Sequence, residues 1–271
     1  MPELPEVETT RRGIVPHVIG RNIDQCRIHN PRLRYLVPAD LPGCIQGQEV
    51  REVLRRGKYL LFRFDRGSMM VHLGMSGSLR LVPRDTPREK HDHIEWLMSS
   101  GVVLRYRDPR RFGLVTWIEG NPLDHSLLRL LGPEPLEPEF TPAYLHDLAR
   151  ARKTPVKNFV MNSRVVVGVG NIYANEALFM AGIRPLRMAN RISLPRYGVL
   201  VDCVKTVLAS AIAQGGTTLR DFVGGDGQPG YFAQTLAVYG RGGKPCIRCG
   251  TLLKEVRLQQ RTTVYCPRCQ K

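Results

Sequence analysis

Hydrophobic and polar positions change period along this chain. In residues 5–14, PEVETTRRGI, Val7 and Ile14 fall on the buried side of a predicted helix. Pro5 at a first helical position, with Glu6 and Glu8 in the first turn, favours a helix start there. From residue 58 the period falls to two. KYLLFRF at 58–64, MMVHL at 69–73, SLRLV at 78–82, HIEWLM at 93–98, VVLRYR at 102–107 and GLVTWI at 113–118 read as strands. DRGS at 65–68 and SSG at 99–101 are turn signals between them. Short strands joined by tight turns predict an antiparallel sandwich or barrel.

GPEPLEPEFTP at 132–142 ends this pattern. Its four prolines cannot continue a helix or a central strand, so the segment reads as a linker. The second half is helical. AYLHDLAR at 143–150 predicts one helix, and Thr154 with Pro155 supplies a cap and first-position proline for another, to about Met161. Asn171 is expected to cap NIYANEALFMA, which stops at Gly182. Pro195 opens a longer helix to about Gln214, with Leu200, Val204, Val207, Leu208, Ala211 and Ile212 as its apolar stripe. No internal repeat is visible.

Charge adds a partner to this outline. Lys and Arg number 40 against 24 Asp and Glu, a formal net charge of +16. Such an excess favours a polyanion, with nucleic acid first and an anionic membrane surface as competitor. No apolar run approaches the ~18 residues of a spanning helix, and no signal segment opens the chain, so a cytoplasmic protein is expected. The odd total of seven cysteines argues against a disulfide framework. Cys26, Cys44 and Cys203 read as core residues.

The other four form the strongest motif. Cys246, Cys249, Cys266 and Cys269 stand as C-x2-C-x16-C-x2-C. Four thiolates close a tetrahedral zinc site with no open position for water, so one structural zinc is expected. Residues 241–271 also carry eight Lys or Arg and one acid, Glu255, which suits a phosphate backbone. Gly168 and Gly170 before Asn171 suit close approach of a phosphate to a helix start. Residues 150–164 hold five basic residues and no acid. YRDPRRFG at 106–113 and the lone Met75 in HLGMSG are candidates for wedging into a base stack. The glycine-rich stretch 215–232 suggests a lid. At the start, removal of Met1 would leave the secondary amine of Pro2 beside the carboxylate of Glu3.

These stretches together carry a resemblance. PELPEVETTRRG at 2–13, RRGKYLL at 55–61, HLGMSGSLR at 72–80, EKHDH at 89–93, DPRRFG at 108–113, LGPEPL at 131–136, VVGVGNIYANE at 166–176, GGTTLRDF at 215–222, PGYFAQ at 229–234 and the four-cysteine finger span nearly the whole chain. By them the chain resembles the bacterial formamidopyrimidine-DNA glycosylase family. The resemblance implies an α+β fold: an antiparallel β-sandwich with flanking helices at 1–131, a linker at 132–142, a helix-two-turns-helix domain at 143–240 and a β-hairpin zinc finger at 241–271. It implies excision of 8-oxoguanine and ring-opened purines from double-stranded DNA, then strand cleavage. A monomer is expected, since the recognition surface asks for no two-fold partner. Pro2 is implied as nucleophile and Glu3 as general acid/base. Lys58 and Arg261 are implied as phosphate contacts and proton donors. His72, His91, Arg110, Arg152 and Asn171 are implied DNA contacts, and Met75, Arg110 and Phe112 the residues that fill the gap left by the extruded base. Two competing readings remain at this point: an endonuclease VIII-type glycosylase for oxidised pyrimidines, and a non-catalytic zinc-finger DNA-binding protein. The second leaves Pro2 and Glu3 unexplained.

Overall fold

The computed structural model describes residues 2–216 and 236–271. The stretch expected to form a lid therefore lies almost entirely outside the described residues. Those residues divide into two compact units: the chain up to Arg129 with residues 214–216, and Leu130–Ala213 with residues 236–271.

In the first unit, helix α1 (Leu4–Val18) runs past the predicted end at Ile14 and carries Pro16 within it. It is followed by β1 (Ile23–Ile28), the short helix α2 (Leu41–Ile45), β2 (Glu52–Arg56), β3 (Tyr59–Phe64), β4 (Gly67–His72), β5 (Ser78–Pro83), β6 (Asp92–Met98), β7 (Val102–Arg107) and β8 (Leu114–Ile118). Two four-stranded antiparallel sheets result, with orders β2-β3-β4-β8 and β1-β6-β7-β5. Their inner faces share one core that includes Phe62, Met69, Ile94, Trp96 and Leu104, sealed by Val7, Ile14 and Val18 of α1. The alternation seen from residue 58 onward is this core face.

Lys58 differs from its sequence reading. It is not the first residue of a strand. With Gly57 at φ 57° it makes the two-residue turn between β2 and β3, whose flanking residues Arg56 and Tyr59 pair.

The second unit contains α3 (Pro142–Ala149), α4 (Val156–Val160), α5 (Asn171–Met180) and α6 (Leu194–Ala213), then the hairpin β9 (Lys254–Leu258) and β10 (Arg261–Tyr265). α3 and α5 pack on α6, and α5 also meets β10. Residues 132–142 interact within this unit: Gly132 N–H donates to Ser163 O at 2.8 Å, Val167 N–H to Pro133 O at 3.1 Å, and Phe140 is buried.

Two helix starts are corrected. α4 begins at Val156, because Pro155 is extended (ψ 136°) and lies in a short bridge with Met188. Asn171 is the first helical residue of α5, not its cap. Gly170 makes the entry in extended conformation, and the Asn171 side chain makes no capping bond.

Candidate active site and nucleic-acid interface

In the first unit the site starts from a capping box. Glu3 caps α1 with its side chain, and its own N–H donates to Glu6 Oε2 at 2.8 Å. Pro2 and Glu3 are both buried. One turn on, Glu8 accepts from Arg11, Arg12 and Arg55 at 2.8–3.1 Å. Burial would raise the Glu8 carboxyl, but hydrogen bonds from Arg11 and Arg12 and the charges of Arg11 and Arg55 hold it at about 2. Arg55 also donates to Gly57 O at 3.1 Å. The helix that begins at Glu3 is thereby braced against the turn that carries Lys58. Gly216 closes the other side: it sits at φ +80°, and a Cβ there would meet Glu6 Oε1 at 3.0 Å.

His72 ends β4, its ring 4.8 Å from that of Tyr59. Its Nδ1 accepts from Gly74 N–H at 2.9 Å, so Nε2 carries the proton of the neutral ring. Burial, with Lys58 and Arg34 nearby, pulls its pKa down to about 4.

Two loops meet beyond His72. Gly74 lies at φ +63° and a Cβ there would overlap the Phe112 carbonyl. The carboxylate of Asp108, fully buried, ties the loops together. Oδ1 accepts from Ser76 Oγ at 2.6 Å and Arg110 N at 3.3 Å, and Oδ2 from Gly113 N at 2.9 Å and Tyr106 Oη at 3.3 Å. His91 joins this group, because its carbonyl accepts from Asp108 N–H at 3.0 Å. The result presents Met75, Arg110 and Phe112 outward on a rigid base. Met75 and Phe112 are 37% and 46% exposed, and the Arg110 guanidinium stacks 5.1 Å from the Phe112 ring centre.

In the second unit Arg152 is exposed after α3. Asn171 opens α5 with its Oδ1 buried and without a hydrogen-bond partner. The finger is held from below by α4 and α5. Lys157, fully buried, donates to Thr262 O at 2.9 Å and Thr263 Oγ1 at 2.7 Å. Asn175 Oδ1 accepts from Val264 N–H at 2.9 Å. The Glu176 carboxylate accepts from the N–H groups of Ala237, Val238 and Tyr239 at 2.7–3.0 Å. Arg261 is exposed at the hairpin tip, directly after Gln259 and Gln260, both at positive φ (43° and 62°). Two non-glycine residues in that region make a strained two-residue turn.

The four finger cysteines fit a metal. Their Sγ atoms lie within 4.8 Å of one another. Cys246–Cys269 and Cys249–Cys266 are 3.9 and 3.5 Å apart, against about 3.8 Å for a tetrahedron with Zn–S bonds of 2.3 Å. The donor set is all thiolate and leaves no open position, so the zinc is structural.

Comparison with known proteins agrees along the chain. The formamidopyrimidine-DNA glycosylase N-terminal domain matches residues 1–115, its H2TH domain residues 131–223, and the zinc finger found in FPG and IleRS residues 243–271. A formamidopyrimidine-DNA glycosylase of Hahella chejuensis is 58% identical over 271 residues, the whole of both chains. The chain belongs to the formamidopyrimidine-DNA glycosylase family. Among solved structures of the family, a Lactococcus lactis FPG variant bound to Fapy-dG containing DNA superposes with TM-score 0.93 at 33% identity over 100% of both chains. A MutM complex with DNA containing carbocyclic 8-oxo-G gives 0.92 at 34%, again over 100% of both.

Within this family member, the first unit brings Met75, His91, Arg110 and Phe112 to one base. It links the start of α1, with Pro2 and Glu3, to the Lys58 turn through Glu8 and Arg55. Arg152, Asn171, Arg261 and the cysteines belong to the second unit. Sequence reasoning missed Asp108 and Ser76, which fix the wedge loops, Arg34, which faces His72, and Lys157, Asn175 and Glu176, which hold the finger side. Asp108, Asn175 and Glu176 stood inside quoted motifs. For Asn175 and Glu176 the signal was an amide and an acid amid apolar neighbours, where a buried polar group needs partners; Asp108, set among arginines, gave no such signal.

Proposed function

We propose that this chain excises oxidised purines, 8-oxoguanine and formamidopyrimidines, from double-stranded DNA and then cleaves the abasic strand. The observation that carries the reading is the capped, buried Pro2–Glu3 start of α1, braced through Glu8 and Arg55 to the Lys58 turn, in a family member whose solved relatives hold Fapy-dG and 8-oxo-G DNA. With Met1 removed, the Pro2 amine titrates about two units below a lysine, so far more of it is nucleophilic at neutral pH. It attacks C1′ and the damaged base departs with the glycosidic electron pair. The sugar ring then opens: the C1′–O4′ bond breaks, O4′ takes a proton, and the secondary amine, with no N–H left to lose, becomes a cationic iminium that acidifies the C2′ protons. Loss of one breaks the C3′–O bond, and a second elimination breaks the C5′–O bond. Glu3 moves protons between sugar and leaving groups. Lys58 and Arg261 hold the departing phosphates and donate protons to them.

Met75, Arg110 and Phe112 fill the gap left by the extruded nucleotide, which offsets the cost of unstacking. His72, neutral with its proton on Nε2, serves as a phosphate donor, joined by His91 and Arg152. Asn171 offers the positive end of α5 to a phosphate. When bound, zinc supplies rigidity to the finger. The chain acts on chromosomal DNA inside the cell; among its described residues no helix is long and apolar enough to cross a membrane.

A panel of duplexes tests this. Cleavage of 8-oxoguanine and formamidopyrimidine duplexes, with thymine glycol cut at least tenfold more slowly, is expected. Thymine glycol cut alone would transfer the chain to oxidised pyrimidines. Tight binding without cleavage of any of them would refute enzymatic function.

A further inference from the structure

The outer face of the β1-β6-β7-β5 sheet carries a cavity of about 230 Å³ that the proposed mechanism does not use. Its floor follows from strand register. Arg27 pairs across with Glu95, and Glu95 with Arg105, which gives one charged row over three strands. The next outward row is Gln25, Leu97 and Val103. Alternate residues along a strand are roughly 7 Å apart, so a charged half and a mostly apolar half lie side by side. The segment after β5 roofs the cavity with Arg84, Thr86 and Arg88. It is tied down by Arg105, which donates to Thr86 O at 2.9 Å and Pro87 O at 3.0 Å.

The lining has four guanidinium groups and one carboxylate. That carboxylate is committed: Glu95 pairs with Arg105 at 2.7 Å and with His29 at 2.6 Å. The side chains of Arg27, Arg84 and Arg88 have no hydrogen-bond or ion-pair partner among the described residues and are exposed. Arg105 is 4% exposed, and its Nε is buried with no partner. An anion entering here meets surplus donors on one side and Leu97 and Val103 on the other.

We propose that this cavity is a second nucleotide-binding site, which takes a phosphate on Arg27, Arg84 and Arg88 and lays the attached sugar or base over Leu97 and Val103. Guanidinium forks match phosphate oxygens two at a time. The nucleotide is either a free monophosphate or a unit of a DNA strand lying beyond the lesion. The roof segment leads directly into His91, so occupancy touches the loop proposed to contact DNA.

The test is titration calorimetry with a deoxynucleoside 5′-monophosphate and with the same nucleoside lacking phosphate. It uses the wild-type chain and an Arg27→Gln/Arg84→Gln/Arg88→Gln variant, alongside affinity for 12- and 40-base-pair lesion duplexes over a salt series. Monophosphate binding at least tenfold tighter than nucleoside, lost in the variant, assigns a free nucleotide. No monophosphate binding, but a shallower salt slope for the variant on the long duplex alone, by up to about 0.9 per arginine, assigns a strand. Cleavage of the short duplex stays at the wild-type rate in both cases. Unchanged monophosphate and duplex binding, or equal losses on both duplexes without monophosphate binding, overturns the proposal.

Discussion

Asp108 offers the sharpest structural prediction. Its carboxylate is fully buried and no cation pairs with it among the described residues, so four donors from protein must compensate for lost water. Asp108→Ala orphans two well-formed donors, Ser76 Oγ and Gly113 N. At about 1–3 kcal/mol for each unsatisfied buried donor, the loss is roughly 2–6 kcal/mol. Asp108→Asn is milder. Its amide nitrogen can replace Oδ1, where the Ser76 hydroxyl can turn to accept and only the 3.3 Å bond from Arg110 N is lost. Its oxygen then keeps Gly113. About 1–2 kcal/mol is expected. Urea unfolding followed by tryptophan fluorescence measures this, since the only tryptophans, Trp96 and Trp117, are both in the first unit. In the proposed mechanism the variants also weaken binding to an abasic-site duplex in the order alanine, then asparagine, because the Met75–Arg110–Phe112 base loosens. Alanine within 0.5 kcal/mol of wild type, or asparagine the worse of the two, would refute the reasoning.

Other consequences follow from the same geometry. Glu8→Gln removes a carboxylate held at about 2 against an ordinary 4.5, a difference worth roughly 3 kcal/mol. Because the folded pKa is the lower one, that stability is complete above about pH 4.5 and fades as pH falls toward 2, so wild-type and variant unfolding midpoints should converge there. Lys157→Met leaves Thr262 O and Thr263 Oγ1 without their donor and should lower the stability of the second unit by about 2–3 kcal/mol, read by hydrogen exchange of β10 amides. Cys249→Ala or a zinc chelator should weaken duplex binding at least tenfold while tryptophan fluorescence of the first unit stays native; normal binding would contradict a DNA-holding finger.

The strands of the first unit were legible where both faces were distinct. Val102–Arg107, with Leu104 and Tyr106 in the core and Arg105 and Arg107 on the other face, is the strand observed. β1 was not legible. It is an edge strand whose register shifts between Ile23 and Gln25, so its buried positions, Ile23 and Cys26, are three apart rather than two. β2 buries only Val53. The cysteine cluster could be read because its spacing is local, and the terminal Pro-Glu and the glycines before α5 are likewise local motifs, whose roles belong to the proposed mechanism. What joins them could not be read. Asp108 meets Ser76 across 32 residues, Arg55 meets Glu8 across 47, and Lys157 meets the finger across more than 100. Such pairs are set by packing of the whole chain. Asn171 illustrates the opposite error: a good capping residue whose neighbour Gly170 already makes the helix entry.

The central claim is that the amine of Pro2 becomes covalently bonded to the sugar of the damaged nucleotide. Borohydride reduces such an iminium to a stable amine. Mixing the protein with a duplex that carries one 8-oxoguanine opposite cytosine, adding borohydride and mapping the crosslinked peptide by mass is therefore the most direct measurement. The account predicts a one-to-one protein–DNA adduct at Pro2, absent when Met1 is retained. An adduct on a lysine, or base release and strand cleavage with no trappable adduct, would contradict it.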